Sequence, residues 1–266
     1  MIETFSLYLT AHEAYLRRTT GYFGRGRIED VGQWEWNFLE PLSLNLDVVA
    51  QPMGSKSRSL HVYLGSALCN FVVGELPDNV RNRESSAVAS AQMAHRLGLT
   101  HSEWEFTSQT ARGGRKTFTC ALRRDAAERI RFLAAAHRLR LVSMRPFAAN
   151  LWNECTRTHG FASELDVALI AVEEDTFTTL VAKDRSLQSI NRFFHRRESD
   201  VVTREVNRLQ LSYGMDQKIG VALSAKLRPS LDHQGANVIQ VYRSRTHRRR
   251  LDFGDLMFQD EEGGAL

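Results

Sequence analysis

Glu173, Glu174 and Asp175 stand together between an apolar run, Val167 to Val172, and Thr176. Three carboxylates in one turn could ligate a hard cation. They are also the ordinary content of a solvated hairpin tip, and the tip is the expectation here. The other side chains able to do chemistry are scattered. The nine histidines form no H-x-x-x-H or H-E-x-x-H pair, so metal catalysis has no sequence support. Cys69, Cys120 and Cys155 are odd in number, widely spaced and set in apolar elements, which predicts buried free thiols rather than a disulfide or a zinc site. The G-R-G of Gly24 to Gly26 matches neither phosphate-cradling glycine fingerprint and reads as a surface loop, with an arginine–glycine nucleic-acid contact as the alternative.

The acids need strands to hold them. The run Val167–Val172, a β-branched and aromatic run Thr176–Val181, and a third run Leu187–Phe194 after the turn Lys183-Asp184-Arg185-Ser186 predict a three-stranded meander. Val202, Val206, Leu209 and Tyr213 then fall on one stripe of a 3.6-residue period, so a helix follows, from Ser199 to Tyr213 with Gly214 as its cap. Lys218 to Leu223 returns as a fourth strand. Antiparallel meander, helix and returning strand together make the core unit of a ribonuclease H-like fold.

Upstream, Phe5–Leu9 and Tyr15–Arg18 flank Thr10-Ala11-His12-Glu13 and read as a hairpin, followed by a polar loop punctuated by Gly21, Gly24, Gly26 and Gly32. Trp34, Trp36 and Phe38 lead to a helix from Pro41 with Leu39, Leu42, Leu46 and Val49 on its buried face. A second hairpin is expected between Leu60–Leu64 and Leu68–Val73 across Gly65-Ser66-Ala67. The helix Glu84–Leu97, capped by Gly98, carries Ala87, Ala91 and Ala94 in a small-residue row that predicts close packing on a sheet. A third hairpin joins Trp104–Gln109 to Lys116–Leu122 through Arg112-Gly113-Gly114. Asp125 and Glu128 have capping-box spacing, with Ile130, Leu133, Ala134 and His137 on the inner face of the next helix. Leu141–Met144 is a short strand, Pro146 starts a helix that ends at Gly160, and Val238–Tyr242 is one more strand. Each half opens with hairpins and packs helices on a mostly antiparallel sheet, an internal repeat of pattern rather than of residues.

This order of elements resembles the actin-like proteins, and among them the cytoplasmic scaffold proteins of type IV pilus and type II secretion machines, the PilM and GspL families. The likeness is carried by the N-terminal hairpin and tryptophan stretch leading to L-H-V-Y-L-G-S-A-L-C-N-F. It continues through the helix from Asp125 to His137 before L-V-S-M-R-P-F, and through D-V-A-L-I-A-V-E-E-D-T-F-T-T-L-V with Ile190-Asn191-Arg192 after it. The resemblance implies an α/β fold with mixed sheets: two ribonuclease H-like domains in an actin-like arrangement. The expected division is residues 1–122, residues 123–258 and a disordered acidic tail, 259–266.

Actin-like ATPases hold phosphates on two turns of the type D-x-G. Here the first turn is Leu9-Thr10-Ala11-His12-Glu13 and the second Glu173-Glu174-Asp175-Thr176, both without glycine and the second strongly acidic. A glycine-free turn keeps backbone amides from approaching phosphate, and the acids would repel it. If nucleotide binds, Thr10, His12, Glu173, Asp175 and Thr176 are the residues to hold it. The expectation is that none does, that there are no catalytic residues and no cofactor, and that the chain is a pseudo-ATPase scaffold docking cytoplasmic tails of inner-membrane assembly proteins by added strand or interdomain groove. A divergent ATPase or kinase is the alternative. No stretch approaches the roughly 18 apolar residues of a span, and Met1-Ile2-Glu3 does not open a signal peptide, so a cytoplasmic site beside the inner membrane is expected. Net charge is +4, with Arg243, Arg245, Arg248, Arg249 and Arg250 in one basic run and Asp260-Glu261-Glu262 near the end. The basic run reads first as a solvated edge and second as a contact with an anionic membrane surface; nucleic acid is the lesser option, since only Tyr242 and Phe253 flank it.

Overall fold

Alternation of apolar residues makes the first sheet. In β1 (Ile2–Leu9), Phe5, Leu7 and Leu9 fall on one face and are buried. A computed structural model describes residues 2–22, 25–35, 58–81, 83–110, 115–158, 166–173, 176–184, 186–194, 201–213, 218–223 and 238–240. β1 pairs antiparallel with β2 (Glu13–Tyr22), and β2 with β3 (Arg25–Glu35). On its other side β1 runs parallel to β4 (Arg58–Leu64), matching Phe5, Leu7 and Leu9 with Leu60, Val62 and Leu64. β4 runs parallel to β8 (Arg140–Pro146), giving the order β3-β2-β1-β4-β8. Helix α2 (Arg124–Ala136) covers this face with Ala126, Ala127, Ile130, Leu133 and Ala134.

The second sheet repeats the pattern. β9 (Val167–Val172), β10 (Thr176–Lys183) and β11 (Ser186–Phe194) form the expected meander, and β12 (Lys218–Leu223) and β13 (Val238–Gln240) add in parallel, in the order β11-β10-β9-β12-β13. Every residue of β9 is buried. Val167, Leu169 and Ala171 face α3 (Phe147–Thr158), and Ala168, Ile170 and Val172 face α4 (Val201–Tyr213). A central strand covered on both sides has no solvent face to alternate toward, which is why its sequence is one unbroken apolar run. Between β4 and β8 the chain adds a single-turn helix η1 (Ser66–Leu68), β5 (Cys69–Glu75), α1 (Ser85–Leu97), β6 (Trp104–Thr110) and β7 (Lys116–Arg123). These strands form a third sheet, β5-β7-β6.

Several expectations change. In the glycine-punctuated stretch Gly21 belongs to β2 and Gly26 and Gly32 to β3, with Gly21 and Gly26 paired across the ladder, and Gly24 lies outside the described residues. Leu60–Leu64 and Leu68–Val73 do not form a hairpin: β4 and β5 belong to different sheets, and Gly65 is the point where the chain leaves one for the other. The buried residues of α1 are Ala89 and Met93 rather than the alanine row, because Met93 fills the gap over Val72 and Ala121. Gly98 does cap α1, at φ 64. The helix after β7 starts one residue before the expected box. Asp125 sits inside its first turn and pairs with Arg123 at 2.8 Å, and His137 is its half-buried C-cap. Because β8 is bonded to β4, we propose that the halves divide at α3 rather than after residue 122. The helix from Pro41, the turn at 112–114, Glu174, Asp175, Gly160, Gly214, the arginine run and the tail 259–266 lie outside the described residues.

Candidate functional site

Of the two turns where a phosphate would sit, the first is closed by its own bonds, and in the second only Glu173 and Thr176 are described. In the first, the amide of Thr10 donates to the carbonyl of Glu13 at 2.8 Å. The amides of His12 and Glu13 donate to Thr10 Oγ1 at 3.2 and 2.9 Å. A hydroxyl that captures its own turn's amides removes the donors a phosphate would need. His12 is left exposed, whereas Glu13 is buried and accepts from Tyr15.

At the second turn the amide of Glu173 donates to the carbonyl of Thr176 at 2.8 Å. The side chain of Glu173 is the centre of the site. It is 2 % exposed, so it is not the solvated tip residue that its acidic neighbours suggest. Its Oε1 accepts from the Tyr8 hydroxyl. Its Oε2 accepts from the Ser66 amide at 2.7 Å and from the Thr176 hydroxyl at 3.3 Å. Three donors around one carboxylate stabilise its charged form and make a buried anion tenable.

Each partner is positioned by the fold. Tyr8, at the end of β1, stacks on Tyr15 at 5.9 Å and meets Phe147 of α3 at 5.1 Å. Gly65 brings η1 against the end of β1, its amide donating to the Leu9 carbonyl at 2.6 Å. A Cβ at Gly65 would lie 2.9 Å from Glu173 Oε1, so the carboxylate packs directly on the glycine backbone. Arg192 of β11 ties the same corner down from the second sheet. Its Nη1 donates to the Ser66 carbonyl at 2.9 Å and to the Cys69 carbonyl, and its Nη2 to Asn70 Oδ1 at 3.2 Å. The hydrogen bond with Cys120, and burial, push the Cys69 thiol well above its usual range, so it stays protonated. All three cysteines are free and buried, as expected.

Of the residues named for nucleotide, Thr10 and Glu173 meet around Gly65 and Thr176 bonds to Glu173, His12 is exposed in the turn of Thr10, and Asp175 lies outside the described residues. Tyr8, Gly65 and Ser66 were not expected there. Gly65 carried the only signal, a glycine directly after an apolar strand, and hairpin geometry accounts for it equally well in sequence. No group of three His, Cys, Asp or Glu side chains among the described residues is placed to hold a metal ion.

A second feature lies at the junction of β6, β7, β8, α3 and the β10–β11 pair. It is a cavity of about 440 Å³ with apolar walls that include Phe118, Leu122, Met144 and Leu180. Asn150 of α3 lines it and is 2 % exposed, yet neither its amide nitrogen nor its oxygen has a hydrogen-bond partner among the described residues. Glu105 at the rim is neutralised: its bond with Arg131, at 2.8 Å, holds its carboxyl below the usual range. The cavity thus has a mixed wall, apolar at Phe118, Leu122, Met144 and Leu180 and polar at Thr107, Gln109, Arg145 and Asn153, with a buried amide at Asn150 that has no partner among the described residues.

No family model matches the sequence, and no curated protein sequence matches it. Solved structures do. A protein of Bacteroides thetaiotaomicron with an actin-like ATPase fold is 12% identical, with a TM-score of 0.53, over 84% of this chain and 81% of that one. The PilM–PilN type IV pilus biogenesis complex is 11% identical, with a TM-score of 0.61, over 85% and 83%. The cytoplasmic domain of EpsL, an inner-membrane component of the type II secretion system of Vibrio cholerae, is 11% identical, with a TM-score of 0.57, over 97% and 94%. At these identities the likeness concerns the fold, and the fold is actin-like.

Proposed function

We propose that this chain is a non-enzymatic actin-like scaffold that docks the cytoplasmic tail of an inner-membrane assembly protein of a pilus or secretion machine. The observation that carries the reading is the partly apolar cavity with a buried amide at Asn150 that has no partner among the described residues. An asparagine can donate to and accept from a peptide bond at once, and an apolar wall takes the side chains of an extended segment. Leaving such a group unpaired costs about 1–3 kcal/mol, which a docked backbone would recover. Two structural neighbours lend support: one is PilM with PilN, the other a component of the inner membrane. Such a role places the chain in the cytoplasm against the inner membrane. Among the described residues no helix is long and apolar enough to cross a membrane. The closed first turn and the buried carboxylate of Glu173 argue against nucleotide chemistry at the other site.

The experiment is titration of the protein with synthetic peptides of the cytoplasmic tails of pilus and secretion inner-membrane proteins, read through the fluorescence of Trp152 at the cavity wall. Asn150→Leu, of nearly equal size, is expected to weaken the bound peptide about tenfold or more. It should leave the free protein as stable as the parent or more so, because it removes a buried unpaired amide. Equal binding by parent and variant, or no binding of any tail, would count against the reading.

A further inference from the structure

We propose that the face of β4 and β8 at His61, Arg140 and Arg145 docks an acidic, extended segment of a partner protein that carries carboxylates at alternate positions. An irregularity in the ladder makes this surface. β8 is the last strand of its sheet, and its register on β4 slips by one residue: Leu60 pairs with Leu141, but His61 pairs with Ser143. In a regular strand Arg140 and Arg145, five positions apart, would point to opposite faces. With Val142 as the extra residue, Arg140, Ser143 and Arg145 fall opposite Ser59, His61 and Tyr63, three alternate residues of one face. Both arginines are exposed, His61 and Ser143 are half-buried between them, and Val142 is 46% exposed at the bulge.

The charge on this face is unbalanced. Neither arginine has an acidic partner among the described residues. His61 Nδ1 and Ser143 Oγ share a hydrogen bond of 2.8 Å. Burial, and then the charges of Arg145 and Arg140, hold the imidazole below its usual range, so it stays neutral between two guanidiniums. Carboxylates laid on the face would relieve that repulsion. Edge arginines also discourage sheets from joining edge to edge. That role asks only for exposed charge, not for a bulge that sets two guanidiniums on one face beside a histidine. The cations span four residue steps of β4, about 13 Å, in a line rather than over an area. A bilayer or a nucleic-acid backbone favours a broad cationic area. A line of this pitch matches carboxylates at i, i+2 and i+4 of an extended segment, the outer two on the arginines and the middle one at Ser143 and His61. Only Arg145 of this surface also lines the cavity at Asn150, so the inference does not rest on tail docking, and Arg140 tests it alone.

The probe is a fluorescein-labelled peptide of alternating valine and aspartate with three aspartates, titrated with the full chain at low salt and followed by anisotropy. Saturable binding is expected, and it should weaken as salt rises because the contacts are exposed ion pairs. A peptide of the same composition with its aspartates adjacent should bind severalfold more weakly. Arg140→Glu should melt like the parent and weaken the alternating peptide about tenfold, since it replaces an attraction with a repulsion. The double variant, Arg140→Glu with Arg145→Glu, should instead prefer the peptide in which lysine replaces aspartate. No saturable binding, equal affinity for the two aspartate peptides, or equal binding by parent and Arg140→Glu would overturn the proposal. Tighter binding to anionic vesicles or to single-stranded DNA than to the peptide, lost in Arg140→Glu, would also overturn it, because the face would then belong to lipid or to nucleic acid.

Discussion

Val206→Asp is expected to lose about 4 kcal/mol of stability, enough to unfold a large fraction of the protein. Val206 is 6 % exposed on the stripe of α4 that also carries Val202 and Leu209, packed on Ala168, Ile170, Val181, Ile219 and Val221. A carboxylate there would be cut off from water in an apolar interface. Its neighbour in sequence makes matters worse. Glu205 is already a buried acid, held by the Thr179 hydroxyl at 2.7 Å and by Arg208 at 2.8 and 2.6 Å. Arg208 is committed to that carboxylate, and a second acid beside it adds repulsion without a second counter-charge. The control lies on the same helix: Leu211 is 87% exposed, and Leu211→Asp should stay within about 0.5 kcal/mol of the parent. Chemical denaturation midpoints for the two variants read the difference. Equal midpoints would mean that the face of α4 is assigned wrongly.

Gly65→Ala should cost about 2–3 kcal/mol, a large effect for one methyl group. The backbone at Gly65, φ −59 and ψ 155, is open to any residue, so the requirement is space and not conformation. The new Cβ would meet Glu173 Oε1 at 2.9 Å, the Leu9 carbonyl oxygen at 3.0 Å and Thr10 Cα at 3.2 Å. Two of these three atoms are backbone at the end of a five-stranded sheet and cannot step aside. Either Glu173 leaves its donors or η1 moves off β1. Gly74→Ala is the matched control: its nearest neighbours are side-chain atoms of Thr117 at 3.3 Å and Gln92 at 3.6 Å, and it should melt close to the parent. If the two glycine variants melt alike, the close approach at Gly65 contributes nothing.

Much of the second half was legible in the sequence because its elements are local and strongly patterned. The unbroken run of β9 and the stripe Val202, Val206, Leu209 each follow from one element packed against the next, whereas Tyr213, expected on the same stripe, ends the helix exposed. Errors arose where a local cue served a non-local purpose. Glycine at 21, 24, 26 and 32 suggested a loop, but Gly21 lies in β2 and Gly26 and Gly32 in β3, and the pairing of those two strands holds them whatever their intrinsic preference. Gly65 suggested a hairpin because a glycine between two apolar runs usually is one, and nothing nearby reveals that β4 and β5 join different sheets. The alanine row of α1 suggested close packing on a sheet, and the helix does pack closely on β5, β6 and β7, but through Ala89 and Met93 while Ala87 and Ala91 are exposed. The site itself was half legible. Both turns stood out for what they lack, but Glu173 looked solvated beside Glu174 and Asp175, and its contact with Tyr8 spans 165 residues. No local pattern reports a hydrogen bond of that separation. Nor could sequence show that Asn150, one residue from the apolar Leu151 on the same helix, is buried without a partner among the described residues.

The central claim, that the cleft of this actin-like fold is closed to nucleotide, meets its most direct test in calorimetric titration of the full chain with ATP and magnesium, with phosphate release followed in parallel. Magnesium is needed in the cell because it could bridge acid and phosphate and so offset the repulsion from Glu173. The account predicts no saturable heat at ligand concentrations up to about 1 mM, an affinity weaker than about 4 kcal/mol, and no release of phosphate. A dissociation constant in the micromolar range, about 8 kcal/mol of affinity, would contradict it, and phosphate release with turnover would make the protein an enzyme.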